Sequence, residues 1–190
     1  TFPSTTAPFV LAGLLALAAA PSVAQSQPSP KAQTVASGLQ NPWAVAFLSE
    51  GRFLVTERPG RLRVVSADGQ VQPAVQGLPE VAAGGQGGLL DVITDSAFAS
   101  NRTIYFCFSE PGKGTTNSTA LARARLSDDL KQLQDMKVIF SQQPKVSSTA
   151  HFGCRIVERQ VNGKPDGTLL LTLGERFSRR DDAQTLDNHH

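Results

Sequence analysis

From residue 44 onward the chain alternates short apolar runs with turn-forming pairs. Residues 44–48 (AVAFL), 52–56 (RFLVT) and 61–66 (RLRVVS) are rich in β-branched and large apolar side chains, the length and composition of strands. Glu50-Gly51, Pro59-Gly60 and Asp68-Gly69 punctuate them, and glycine accepts the positive φ that tight hairpins need. The pattern predicts consecutive antiparallel strands. Only residues 127–136 (SDDLKQLQDM) read as helix-like, and that segment is short. A parallel α/β fold would place amphipathic helices between its strands.

The chain also repeats itself. GRFLVTE ending at Glu57, NRTIYFCFSE ending at Glu110 and DGTLLLTLGE ending at Glu175 share one layout: a turn, an apolar strand, a small residue and a glutamate. Each follows another apolar strand: AVAFL, LLDVIT and RIV. The three glutamates stand 53 and 65 residues apart, near the period of propeller blades, which is about 50 residues in kelch repeats. Sandwich strands recur every ~8–12 residues without a larger unit. The spacing therefore favours an all-β propeller, with a Greek-key sandwich as the alternative.

The first thirty residues follow neither pattern. Residues 8–20 (PFVLAGLLALAAA) are apolar, and Ser22-Val23-Ala24 is a small-x-small site suited to signal peptidase. The apolar stretch is shorter than the roughly 20 residues a bilayer span needs. This predicts a removable secretory signal over 1–24, a linker over 25–35, a folded domain over 36–190 and no membrane span in the mature chain. The chain begins at Thr1 without a basic leader, a departure from the usual signal.

Charge narrows the partners. The 18 basic and 16 acidic residues give a formal net charge of +2 and form no run of like sign, so nothing points to nucleic acid. Two cysteines, Cys107 and Cys154, permit a disulfide in an exported protein without requiring one. No spacing suggests a metal site.

Several segments carry a resemblance. Residues 38–48 (GLQNPWAVAFL), 84–92 (GGQGGLLDV), 150–155 (AHFGCR), 173–175 (LGE) and 181–188 (DDAQTLDN) resemble, in order, signatures of the PQQ-dependent soluble aldose sugar dehydrogenases of the glucose/sorbosone dehydrogenase family. The resemblance implies a six-bladed β-propeller, of which this chain covers roughly the first three blades. It implies a periplasmic or secreted enzyme that oxidises the C1 hydroxyl of aldose sugars to lactones by hydride transfer to PQQ. It also implies Ca²⁺ beside the cofactor and an external electron acceptor. In the family the main cofactor clamp and the calcium ligands lie in later blades, so the chain alone is expected to bind PQQ poorly, to be inactive and to be marginally stable.

Four residues match family positions. His151 matches the base, and an imidazole suits that work because its ordinary pKa of about 6.5 lies near working pH; a solvated loop histidine is the alternative. Glu175 matches the acidic partner of that histidine, although Glu57 and Glu110 close the other repeats and a structural role competes. Gln86 matches a glutamine beside cofactor and substrate, in a segment that also reads as a turn between blades. Arg155 offers a guanidinium to a cofactor carboxylate, or a bridge between blades. Two other functions fit the fold: a noncatalytic sugar-binding or adhesion propeller, and a lactonase. For the latter, Asp91, Asn101 and Asn117 show no site-like spacing.

Overall fold

The computed structural model describes residues 29–189. The secretory segment expected over 1–24 lies outside the described residues, as do the start of the linker and His190. Residues 29–33 are exposed and without regular secondary structure. The folded unit starts at Thr34.

Among the described residues, nine strands form three antiparallel sheets in chain order. The first holds β1 (Pro42–Phe47), β2 (Phe53–Glu57) and β3 (Arg61–Val65). The second holds β4 (Leu89–Thr94), β5 (Thr103–Pro111), β6 (Asn117–Leu126) and β7 (Leu133–Ser141). The third holds β8 (Gly153–Val161) and β9 (Lys164–Leu173). The predicted turn residues bend as their chemistry requires: Gly51, Gly60 and Gly69 all take positive φ. The helix-like segment 127–136 is instead a turn followed by the start of β7. Ser127 Oγ accepts the amides of Lys131 and Gln132 at 3.2 and 3.0 Å, and Leu130 sits at φ 62°. Serine and aspartate side chains that capture nearby amides in this way compete with helix formation.

The three repeats share a geometric signature. The first strand of each sheet carries a register shift against its partner, between Pro42 and Val45, Leu89 and Val92, and Gly153 and Ile156. Just beyond it, the amides of Arg58, Ser109 and Gly174 donate to the carbonyls of Asn41, Gly88 and Phe152 at 3.0, 2.9 and 3.2 Å. These bonds superimpose the repeats differently from the sequence alignment. Glu57 pairs with Pro42, where Phe108 pairs with Leu89 and Leu173 with Gly153. Glu57 therefore sits two residues deeper in its ladder than Glu110 and Glu175, about 7 Å along a strand.

Equivalent joints tie the sheets together. Thr56 Oγ donates to Leu90 O at 2.6 Å between the first and second sheets. In the matching slots, Cys107 and Cys154 form a buried disulfide between the second and third. The pairing left open by the cysteine count is made. Core residues follow the same division: Leu54, Leu62, Val64, Leu89, Ile104 and Phe106 pack into one cluster, and Leu90, Leu121, Phe152 and Ile156 pack around the disulfide in another. β4 touches β1 on one side and β8 on the other, so the first strands of the sheets are neighbours. Loops entering those strands converge at one rim.

Candidate active site

Two loops meet at that rim. Gln86 N donates to Thr149 O at 2.8 Å, and His151 N donates to Gln86 Oε1 at 2.8 Å. The second bond joins residues 65 apart in sequence. It occupies the amide oxygen of Gln86, so the remaining polar group of that side chain is its NH₂. His151 takes φ 49°, a left-handed conformation uncommon for a residue with a side chain. The strained backbone is held from behind by Gly174, where an added Cβ would run into His151 O.

Glu175 lies just beyond β9, with both carboxylate oxygens 2.8 Å from His151 Nδ1. The His151 hydrogen bond holds the Glu175 carboxyl below its ordinary range, outweighing partial desolvation. An ionised carboxylate can only accept, so Nδ1 carries the hydrogen of this bond, and in a neutral imidazole Nε2 is then the basic nitrogen. Phe177 stands edge-on to the imidazole, 5.3 Å between centroids, and limits its rotation. The chemistry available is proton removal at Nε2, with Glu175 stabilising the cation that forms.

Arg176, next in the chain, is fully buried. Its guanidinium donates to Ala150 O, Asn117 O, Asn117 Oδ1 and Ser148 O at 3.1, 2.9, 2.7 and 2.6 Å and lies 3.8 Å over the Phe152 ring. Burial pushes it down to about 10, and the oxygens compensate a cation that has left water. Arg176 thereby fastens the loop carrying His151 to the start of β6.

A cleft of about 270 Å³ opens at this rim, lined by Trp43, Arg58, Gln86, Leu90, His151, Phe152 and Gly153. Of the four residues predicted from sequence, His151, Glu175 and Gln86 form one hydrogen-bonded constellation. Arg155 is not in the cleft wall. Its guanidinium pairs with buried Asp91 at 3.2 Å and stacks 5.2 Å over Trp43, bridging the three sheets. The glycines around Gln86 serve packing within the chain: Gly85 abuts Thr149, and Gly88 abuts Arg58. Among the described residues no group of three His, Cys, Asp or Glu side chains converges as a metal site. Asp91 holds Arg155, Asn101 holds Asp95 and Asn117 holds Arg176.

Trp43, Arg58 and Arg176 were not singled out from sequence. A signal for two of them was present, since Glu-Arg occurs at both 57–58 and 175–176.

Comparison with known proteins finds relatives over most of the folded residues. Residues 39–190 match the family model described as Glucose / Sorbosone dehydrogenase. The chain is 43% identical over 150 residues to the aldose sugar dehydrogenase YliI of Escherichia coli K12, covering 78% of this chain and 39% of that protein. A solved structure of a glucose dehydrogenase superimposes with a TM-score of 0.77 at 43% identity, over 85% of this chain and 45% of that one. The PQQ-bound aldose sugar dehydrogenase of Streptomyces coelicolor superimposes with a TM-score of 0.64 at 28% identity, over 76% of this chain and 41% of that one. The chain thus spans less than half the length of these relatives.

Proposed function

The chain belongs to the glucose/sorbosone dehydrogenase family, and from that premise we propose that the protein it represents oxidises the C1 hydroxyl of aldose sugars, with PQQ as cofactor and His151 as base. The observation that carries this reading is the His151–Glu175 pair beside Gln86: an imidazole with Nδ1 fixed by an ionised carboxylate and Nε2 free for a proton. The substrate hydroxyl gives its proton to Nε2 as the C1 hydride departs. Glu175 then stabilises the imidazolium, as a carboxylate does behind a histidine base.

PQQ, when bound, supplies the two-electron oxidant for that hydride. The cleft, lined by Trp43 and Gln86, would hold one side of such a group, with the NH₂ of Gln86 available as a hydrogen-bond donor. Gln86 orients cofactor and sugar, and Arg155 steadies the rim through Asp91 and Trp43. Calcium and the remaining cofactor contacts come from later blades of a six-bladed propeller, of which the three sheets here are the first. An external acceptor reoxidises the cofactor. The disulfide Cys107–Cys154 supports an oxidising compartment, in keeping with export through residues 1–24 to the periplasm or beyond. The chain alone does not turn over sugar.

The test uses full-length protein supplied with PQQ and Ca²⁺, with aldose-dependent dye reduction as readout. His151→Ala is expected to lower kcat by about 10²–10⁴, the usual contribution of a positioned base. Near-parental turnover would remove His151 from the mechanism. Lactone hydrolysis without PQQ would replace the oxidation reading with a hydrolytic one.

A further inference from the structure

One side chain in the cleft wall has no role in what precedes. Arg58 is half-buried and lines the cleft with His151 and Gln86. Among the described residues its guanidinium has no hydrogen bond and no ion pair, although its stem is firmly held. Its amide donates to Asn41 O and its carbonyl accepts from Leu89 N, both at 3.0 Å. Gly88, two residues after Gln86, packs so closely that an added Cβ would strike both the Arg58 carbonyl and its Cγ.

The fold does not require an arginine there. The repeat-defining amide bond of Arg58 is made in the other two sheets by Ser109 and Gly174, both small residues. Nor is the charge used by another of the described residues. The nearest acidic side chain in sequence, Glu57, is taken by Arg61 and Arg63, and Asp91 is taken by Arg155. Among the described residues the cleft wall contains no carboxylate, one arginine and Trp43. A pinned, unpaired guanidinium in a concave wall without acids is matched to an anion, and guanidinium forks suit carboxylates in particular.

We propose that Arg58, with Trp43 beside it, forms a carboxylate-binding subsite of the His151 cleft, filled by a carboxylate of the quinone cofactor or of an acidic sugar such as a uronate. This rests on the proposed dehydrogenase reading and deepens it, because the subsite lies where a group held near the reacting hydroxyl would reach. Holding the stem in advance lowers the ordering cost of the contact.

The full-length protein and its Arg58→Gln and Arg58→Lys variants are titrated with glucuronate and with glucose by isothermal titration calorimetry, and with PQQ by equilibrium dialysis. Saturable binding of glucuronate or PQQ is expected for the parent. Arg58→Gln should weaken it about tenfold or more, the scale of a hydrogen bond to a charged group, and Arg58→Lys should recover part of the loss. Selective loss of glucuronate binding assigns the subsite to the sugar, and selective loss of PQQ binding assigns it to the cofactor. Because the guanidinium has no partner among the described residues, Arg58→Gln should keep the parental melting temperature. The proposal is overturned if neither anion saturates the parent, or if Arg58→Gln binds both within twofold of it. Either result leaves the role of His151 untouched, since that role is judged by turnover and not by anion affinity.

Discussion

Glu57-Arg58 closes β2 and Glu175-Arg176 follows β9, and the two doublets use their side chains in opposite ways. In the first sheet the glutamate is fully buried, accepting from Arg61 Nε at 2.6 Å, Arg63 Nε at 2.9 Å and the Gln40 amide at 2.5 Å. The arginine is left facing the cleft. In the third sheet the arginine is buried among four oxygens, and the glutamate reaches the imidazole at the rim. The cause is the two-residue offset in register. Glu57 lies within the ladder, opposite Pro42, whereas Glu175 lies beyond the last pair, Gly153 and Leu173. The same Glu-Arg pair thus yields a buried glutamate in one repeat and a glutamate bonded to the rim histidine in the other, so a repeat alignment must be made on hydrogen bonds before roles are transferred along it.

The comparison breaks if the buried members fail to carry stability. Arg176→Met is expected to have the largest effect, a loss of about 3–5 kcal/mol in denaturant unfolding, because the variant leaves several buried oxygens unsatisfied. A loss below about 1 kcal/mol would mean that water replaces the guanidinium at no cost. Glu57→Gln should cost about 2–3 kcal/mol, less than a wholly buried pair because Arg61 and Arg63 are partly exposed. It should leave kcat of the folded full-length protein unchanged.

Acid sharpens the same contrast. Burial alone would raise the Glu57 carboxyl, yet the Arg61 side chain, the Gln40 amide and the Arg63 side chain together hold it below its ordinary 4.5. A carboxyl lowered in the folded state gives stability that is complete above the unfolded value and is lost as pH falls through the folded one. The stability gap between parent and Glu57→Gln should therefore be constant above about pH 4.5 and shrink below it. A gap that widens in acid would contradict the ion-pair account.

Much of this was legible in the sequence because it depends on local chemistry. Residues 52–56 and 61–66 were expected as strands and appear as β2 and β3 within one residue, since β-branched runs bounded by glycine turns leave few alternatives. Residues 127–136 were misleading because leucine spacing alone cannot tell a helix from a turn stabilised by Ser127 and Asp129. His151, Glu175 and Gln86 were found through motif resemblance, and the geometry joins them. Arg155, Arg58 and Arg176 could not be assigned in advance, because an arginine's long stem reaches partners set by tertiary structure. Arg176 meets Asn117 across 59 residues, and Arg155 meets Asp91 across 64.

The central claim is that Glu175 serves the histidine and not the fold. Its most direct measurement is steady-state kinetics of Glu175→Gln in the full-length, PQQ-loaded protein, alongside its melting temperature. The account predicts a kcat lower by up to about 10⁴, as expected when the charge behind a histidine base is removed, with KM and melting temperature close to parental. A parental kcat with a lowered melting temperature would make Glu175 a structural residue like Glu57 and contradict the account.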